Sequence, residues 1–86
     1  MNLPTADEIY GPYIAPAQRL ANMRDRVSEA LRSRVNAHVE VQADVDDVEA
    51  LLMVEGELRD AGFKVWHVPT GSPGRCVRIS DGRGSR

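Results

Sequence analysis

The chain is poor in several residue types at once, and each shortage removes a class of function. It holds a single cysteine, Cys76. An internal disulfide is therefore impossible, and so is a zinc site of the usual multi-thiolate kind, which points to a reducing compartment. No run approaches the roughly 18 consecutive apolar residues of a membrane-spanning helix. The opening Met-Asn-Leu-Pro-Thr-Ala-Asp-Glu lacks the charged-then-apolar layout of a secretory leader, so a cytoplasmic location is expected. Aromatic residues make up only 5% of the chain, in the form of Phe63, Trp66, Tyr10 and Tyr13, so each one that is present invites a reason.

Catalytic signatures are missing too. Ser80, Asp81, His38 and His67 come without a Gly-x-Ser-x-Gly elbow or a supporting residue. Asp44, Asp46 and Asp47 lack the central glycine and final glutamate of a calcium loop. The stretch from Gly71 to Gly74 leads into a strand, where a phosphate loop would open a helix. His38, His67 and Cys76 are the soft metal-ligand candidates, and strand alternation puts the two histidines on opposite faces. The expectation is a protein that is not an enzyme and holds neither cofactor nor metal.

Against these absences stand a 42% hydrophobic and a 28% charged fraction, values of an ordinary folded domain. At 86 residues only about 60–65% of the unfolded surface can be buried, so the core must be thin. The net charge of −2 conceals segregation. Residues 1–15 carry −2, residues 16–39 carry +3, residues 40–60 carry −7 and residues 61–86 carry +4. Solvated helix faces explain such blocks, and so does head-to-tail pairing of copies, acidic surface against basic surface. A calculated pI near 5.6 weighs against nucleic acid as the partner, leaving Arg75, Arg78, Arg83 and Arg86 as its only foothold.

The order of elements follows from periodicity. Pro4, Gly11 and Pro12 forbid a long helix in residues 1–15, although Thr5-Ala-Asp-Glu suits one starting turn. This is read as an arm, and Leu3, Ile9, Tyr10, Tyr13 and Ile14 require it to be docked on its own domain or on a partner. Pro16 opens a helix over 16–35, with Leu20, Met23, Val27, Ala30, Leu31 and Val35 as its apolar stripe. Alternation from Val35 to Ala43 then marks a strand. A second helix follows, capped by Asp44 or Asp46 and burying Val48, Leu51, Leu52, Leu58 and Ala61, and Gly62 is its left-handed stop. Phe63 to Val68 and Arg75 to Ser80 form a hairpin around a Pro- and Gly-rich turn, and residues 81–86 form a basic tail.

The fold class is therefore α+β, a small αβαββ two-layer domain. Its three-stranded mixed sheet has order 1-3-2, with the two helices on one face. A five-residue loop sets Val65 opposite Ile79 and Trp66 opposite Arg78. Phe63, Val65, Val77, Ile79, Val39 and Val41 then face the helices, while His38, Glu40, Trp66, Val68, Cys76 and Arg78 collect on the other side. A slip of one residue would bury Trp66 instead.

Trp66 beside Arg78 on a wet sheet face is the strongest recognition signal, because tryptophan and arginine dominate interface hot spots. The bland alternative folds Tyr10 or Tyr13 over Trp66 as a second small core. The partner-binding set expected from the sequence is Tyr10, Tyr13, Trp66, Arg78, Arg83 and Arg86.

The segments Leu58-Arg-Asp-Ala-Gly-Phe-Lys-Val65 and Arg75-Cys-Val-Arg-Ile-Ser80 resemble those of small phage-encoded helix–strand–helix–strand–strand proteins, over about residues 17–80. The resemblance implies a phage accessory protein in a virion or the host cytoplasm. Such a protein would be a minor capsid or decoration component that binds capsid protein or copies of itself. A host-directed binding protein that inhibits or regulates a bacterial target is the alternative.

Overall fold

The structure, a computed structural model, describes residues 2–71 and 73–83. Its elements are helix α1 (Ala6–Tyr10), helix α2 (Pro16–Arg32), strand β1 (His38–Ala43), a 3₁₀ turn (Val45–Asp47), helix α3 (Val48–Asp60), strand β2 (Phe63–Val68) and strand β3 (Arg75–Asp81). The sheet order is β1-β3-β2, as expected. The expectation of a mixed sheet needs one correction, since both ladders are antiparallel. The α3 crossover does make β1 and β2 run the same way, but β3 lies between them, so they never pair.

The expected register is the observed one. Val65 pairs with Ile79, Trp66 with Arg78, and Val39 and Val41 with Ile79 and Val77. Val77 and Ile79 of the central strand are fully buried beneath the helices, against Met23 and Val27 of α2 and Leu51, Val54 and Leu58 of α3. Leu20, Leu31, Val39 and Phe63 pack around that cluster. Residues 2–10 contribute nothing to it.

Several boundaries move for local reasons. The first helix stops at Arg32, where the Ser33 hydroxyl donates to the Glu29 carbonyl (2.6 Å), and β1 begins only at His38. Val35, assigned at once to the helix stripe and to the strand, belongs to neither and is 93% exposed. A helix and a strand cannot share a residue without a connection, here residues 33–37. Neither Asp44 nor Asp46 caps α3 through its side chain; the Asp47 N–H instead bonds to the Asp44 carbonyl (2.8 Å) in a 3₁₀ turn.

Helix α3 buries Ala50, Leu51, Val54, Glu55 and Leu58, whereas Leu52 and Ala61 face solvent. The observed stripe at Leu51, Val54, Glu55 and Leu58 keeps the three- and four-residue spacing, and Leu52 falls one position off it. Gly62 does stop the helix, at φ +97°. Residues 81–83 are held to the domain, and the rest of the expected tail, residues 84–86, lies outside the described residues. Strand β3 runs to Asp81, and the Gly82 N–H bonds to the Gly62 carbonyl (3.0 Å).

The buried Glu55 is the main surprise of the core. Its side chain is 1% exposed and takes a two-pronged bond from Arg75, Nε at 2.6 Å and Nη2 at 2.9 Å. Arg59, one turn along, lies 3.5 Å away and also donates to the Val65 carbonyl. That hydrogen bond with Glu55 holds the Arg75 guanidinium above its ordinary pKa, against the desolvation that lowers it.

Two stability experiments follow. Arg75→Met, which strands a buried carboxylate, is expected to cost about 3 kcal/mol in urea unfolding. The Arg24→Met change at the exposed Arg24–Glu57 pair (2.7 Å) is expected to leave the midpoint nearly unchanged. The glycines offer the converse pair. Gly56 lies mid-helix with open space where a Cβ would go, so Gly56→Ala is expected to stabilise by about 0.5–1 kcal/mol. At Gly74 a Cβ would drive into the backbone carbonyl of Ala43, so Gly74→Ala is expected to lower the thermal midpoint.

Candidate functional site

Three surfaces remain once the core is accounted for. The first is the sheet face without helices. Along its middle, Glu40 of β1, Arg78 of β3 and Trp66 of β2 stand directly opposite one another. Arg78 Nη2 donates to Glu40 Oε2 (2.8 Å), and the Arg78 guanidinium carbon lies 6.0 Å from the centre of the Trp66 ring. Lys64, two residues before Trp66 on the same strand face, brings its Nζ to 5.5 Å from that ring. The indole is thus flanked by two cations, and one of them is fixed by a carboxylate.

Glu40 also accepts from the Cys76 Sγ (3.7 Å), and Cys76 is buried beneath this row despite lying on the uncovered face. Burial pushes the Cys76 thiol up, and the nearby Glu40 carboxylate pushes it further. Such a thiol is a packing group with little nucleophilic character. The hydrogen bond from Arg78, with its charge, holds Glu40 below the usual carboxylate range.

The second surface is the arm. Thr5 caps α1 by accepting from the Glu8 N–H (3.2 Å), and the Gly11 N–H closes the turn on the Asp7 carbonyl (2.9 Å). The expected starting turn is therefore made, yet the arm is not docked on its own domain. Leu3 and Ile9 are exposed, Tyr10 is 86% exposed and Tyr13 is 81% exposed. Neither tyrosine covers Trp66 in a second small core. The radius of gyration is 15.7 Å, against about 12 Å for a compact chain of this length, and the longest axis is 64 Å against 26 and 22 Å for the others. The arm projects.

The third surface went unnoticed in the sequence. At the end of the sheet where β1 and β2 begin and β3 ends, the C-terminal ends of α2 and α3 border a cleft of about 880 Å³. Its apolar floor includes Val27, Leu31, Leu58, Phe63 and Ile79, and its rim carries Arg24, Arg32, Arg34 and Arg83. Glu57 answers Arg24 in a two-pronged pair, and Asp81 answers Arg83 at 3.1 Å. Arg34 donates to the Leu31 carbonyl; the hydrogen bonds from Arg83 hold Asp81 below its usual range, and the charge of Arg34 adds a little to this. Among the described residues, Arg32 and Arg34 make no ion pair.

The six residues singled out from the sequence are therefore not one site. Trp66 and Arg78 touch, Tyr10 and Tyr13 sit on the arm, Arg83 lines the cleft, and Arg86 lies outside the described residues. Arg75, one of the arginines counted as a foothold for phosphate, is engaged in the core by Glu55. The cleft depends on how α2 and α3 sit over the sheet, which no spacing in the sequence encodes. A hint was the crowding of Leu31, Arg32 and Arg34 at the helix end.

No protein-family model matches the sequence, and no curated protein or solved structure matches the chain.

The Glu40 row gives a titration test. Its lowered pKa means that the pair with Arg78 is fully formed above the usual glutamate range and is lost as pH falls through that lowered value. NMR titration of the Glu40 carboxyl carbon is expected to give a midpoint below an ordinary glutamate's, and Arg78→Met is expected to move it upward. An unchanged midpoint would show that the pair does not persist in solution.

Proposed function

We propose that the chain is a non-enzymatic accessory protein that acts by binding protein. In the phage setting implied by the Leu58–Val65 and Arg75–Ser80 segments, it would be a virion component, a minor capsid or decoration protein. The observation that carries the reading is the arm. Five large apolar groups within residues 3–14 serve no purpose in the chain's own core, and a segment of that composition gains from being covered. Segments that dock on a neighbouring subunit have this character.

A second reading, a host-directed binder of a bacterial protein, is favoured by the Glu40–Arg78–Trp66 row. A tryptophan held between cations on an uncovered sheet face resembles the anchor of a hot spot. Light scattering on the intact chain and on a chain lacking residues 1–15 separates the two. The assembly reading predicts association that disappears with the arm, together with co-sedimentation of the intact chain with assembled shells. If both forms are folded monomers that ignore shells, the arm does not serve assembly and the host-binder reading replaces it.

A further inference from the structure

We propose that the arm of one copy docks in the Arg-rimmed cleft of the next, so that copies associate head to tail. This inference rests on the protein-binding reading above and names the partner as a second copy of the chain.

Charge complementarity and the geometry of α2 carry the argument. The arm brings Ile9, Tyr10 and Tyr13 beside Asp7 and Glu8, and the cleft offers an apolar floor beneath Arg32 and Arg34, neither of which is in an ion pair among the described residues. Apolar groups thus meet apolar floor, and two carboxylates meet two guanidinium groups that are in no such ion pair. A volume near 880 Å³ falls within the span of about 300–1,000 Å³ typical of binding clefts, enough for a short helical turn with its large side chains.

The arm and the cleft lie at opposite ends of the same chain. Arg19 bonds to Asp47 (2.9 Å), which fixes the start of α2 beside the 3₁₀ turn, at the end of the sheet away from the cleft. From Pro16 to Arg32 the helix runs about 24 Å. Ala15, restricted by the proline that follows, is extended (φ −63°, ψ 149°), and it leads the arm off the helix instead of back along it.

The remaining charges agree with this polarity. Asp44, Asp46 and Glu49 stand exposed without an ion pair among the described residues, at the end where the arm leaves. Arg32 and Arg34 stand at the other end. One copy's acidic end thus faces the next copy's basic end. The contact is heterologous, so it propagates to chains unless a ring closes.

The test is a charge exchange on the full chain, read by light scattering across a concentration series at moderate salt, with circular dichroism to confirm folding. The four substituted positions are exposed. Asp7→Lys with Glu8→Lys, and separately Arg32→Glu with Arg34→Glu, are each expected to move association to at least about ten-fold higher concentration. An equimolar mixture of the two variants is expected to restore it, because each arm then meets a cleft of opposite charge.

Association of both variants like the parent chain would overturn the cleft as the docking site while leaving the protein-binding reading intact. Failure of the folded mixture to recover would do the same, as would loss of association in Trp66→Ala but not in the charge variants, which would place the arm on the open sheet face. A parent chain that stays monomeric throughout overturns self-docking and sends the arm to a foreign partner.

Discussion

Everything else in the molecule hangs on the alternation of β3. Val77 and Ile79 point into the helices and are fully buried, while Cys76 and Arg78 point the other way. Because β3 is central, this single strand anchors both ladders and divides the protein into a covered and an uncovered face. The helices cannot wrap both sides of a three-stranded sheet at this length. The uncovered face is therefore a consequence of the fold, and the Glu40–Arg78–Trp66 row is what the sequence places there.

The charge segregation of the sequence finds most of its answer inside the chain. The basic helix α2 lies against the acidic stretch of the 3₁₀ turn and α3, through Arg19–Asp47 and Arg24–Glu57, and Arg75 reaches under α3 to Glu55. The small net charge of −2 thus reflects real pairing between neighbouring elements. What remains among the described residues is polarised along the molecule, with acids outside any ion pair where the arm departs and Arg32 and Arg34 outside any ion pair at the cleft. The exposed pairs contribute little to stability, so their chief effect is to leave a directional surface.

The sequence was most legible where a period of two operated. Alternation in β1 and β3 and a five-residue turn were enough for the register, the sheet order and the identity of both faces. Local chemistry was legible as well, in the Thr5 cap and the Gly62 stop. The helix faces were read less well. In α3 the core takes Val54 and Glu55 where Leu52 was expected, and no local pattern announces a carboxylate whose partner lies 20 residues away. Val35 fitted both adjoining patterns and served neither. The cleft was invisible because it is a property of how two helices sit on the sheet, and the projecting arm because composition says only that it must be covered.

The central claim is that the arm's apolar groups are covered by the cleft of another copy. The most direct measurement follows the NMR signals of Tyr10 and Tyr13, the Leu31 methyls, the Phe63 ring and the Trp66 indole as the chain is concentrated. The account predicts that the arm tyrosines begin solvent-like and then shift together with Leu31 and Phe63 at one common midpoint, while the Trp66 indole stays in place. Tyrosines protected at every dilution, or a Trp66 signal that moves in place of Leu31 and Phe63, would contradict it.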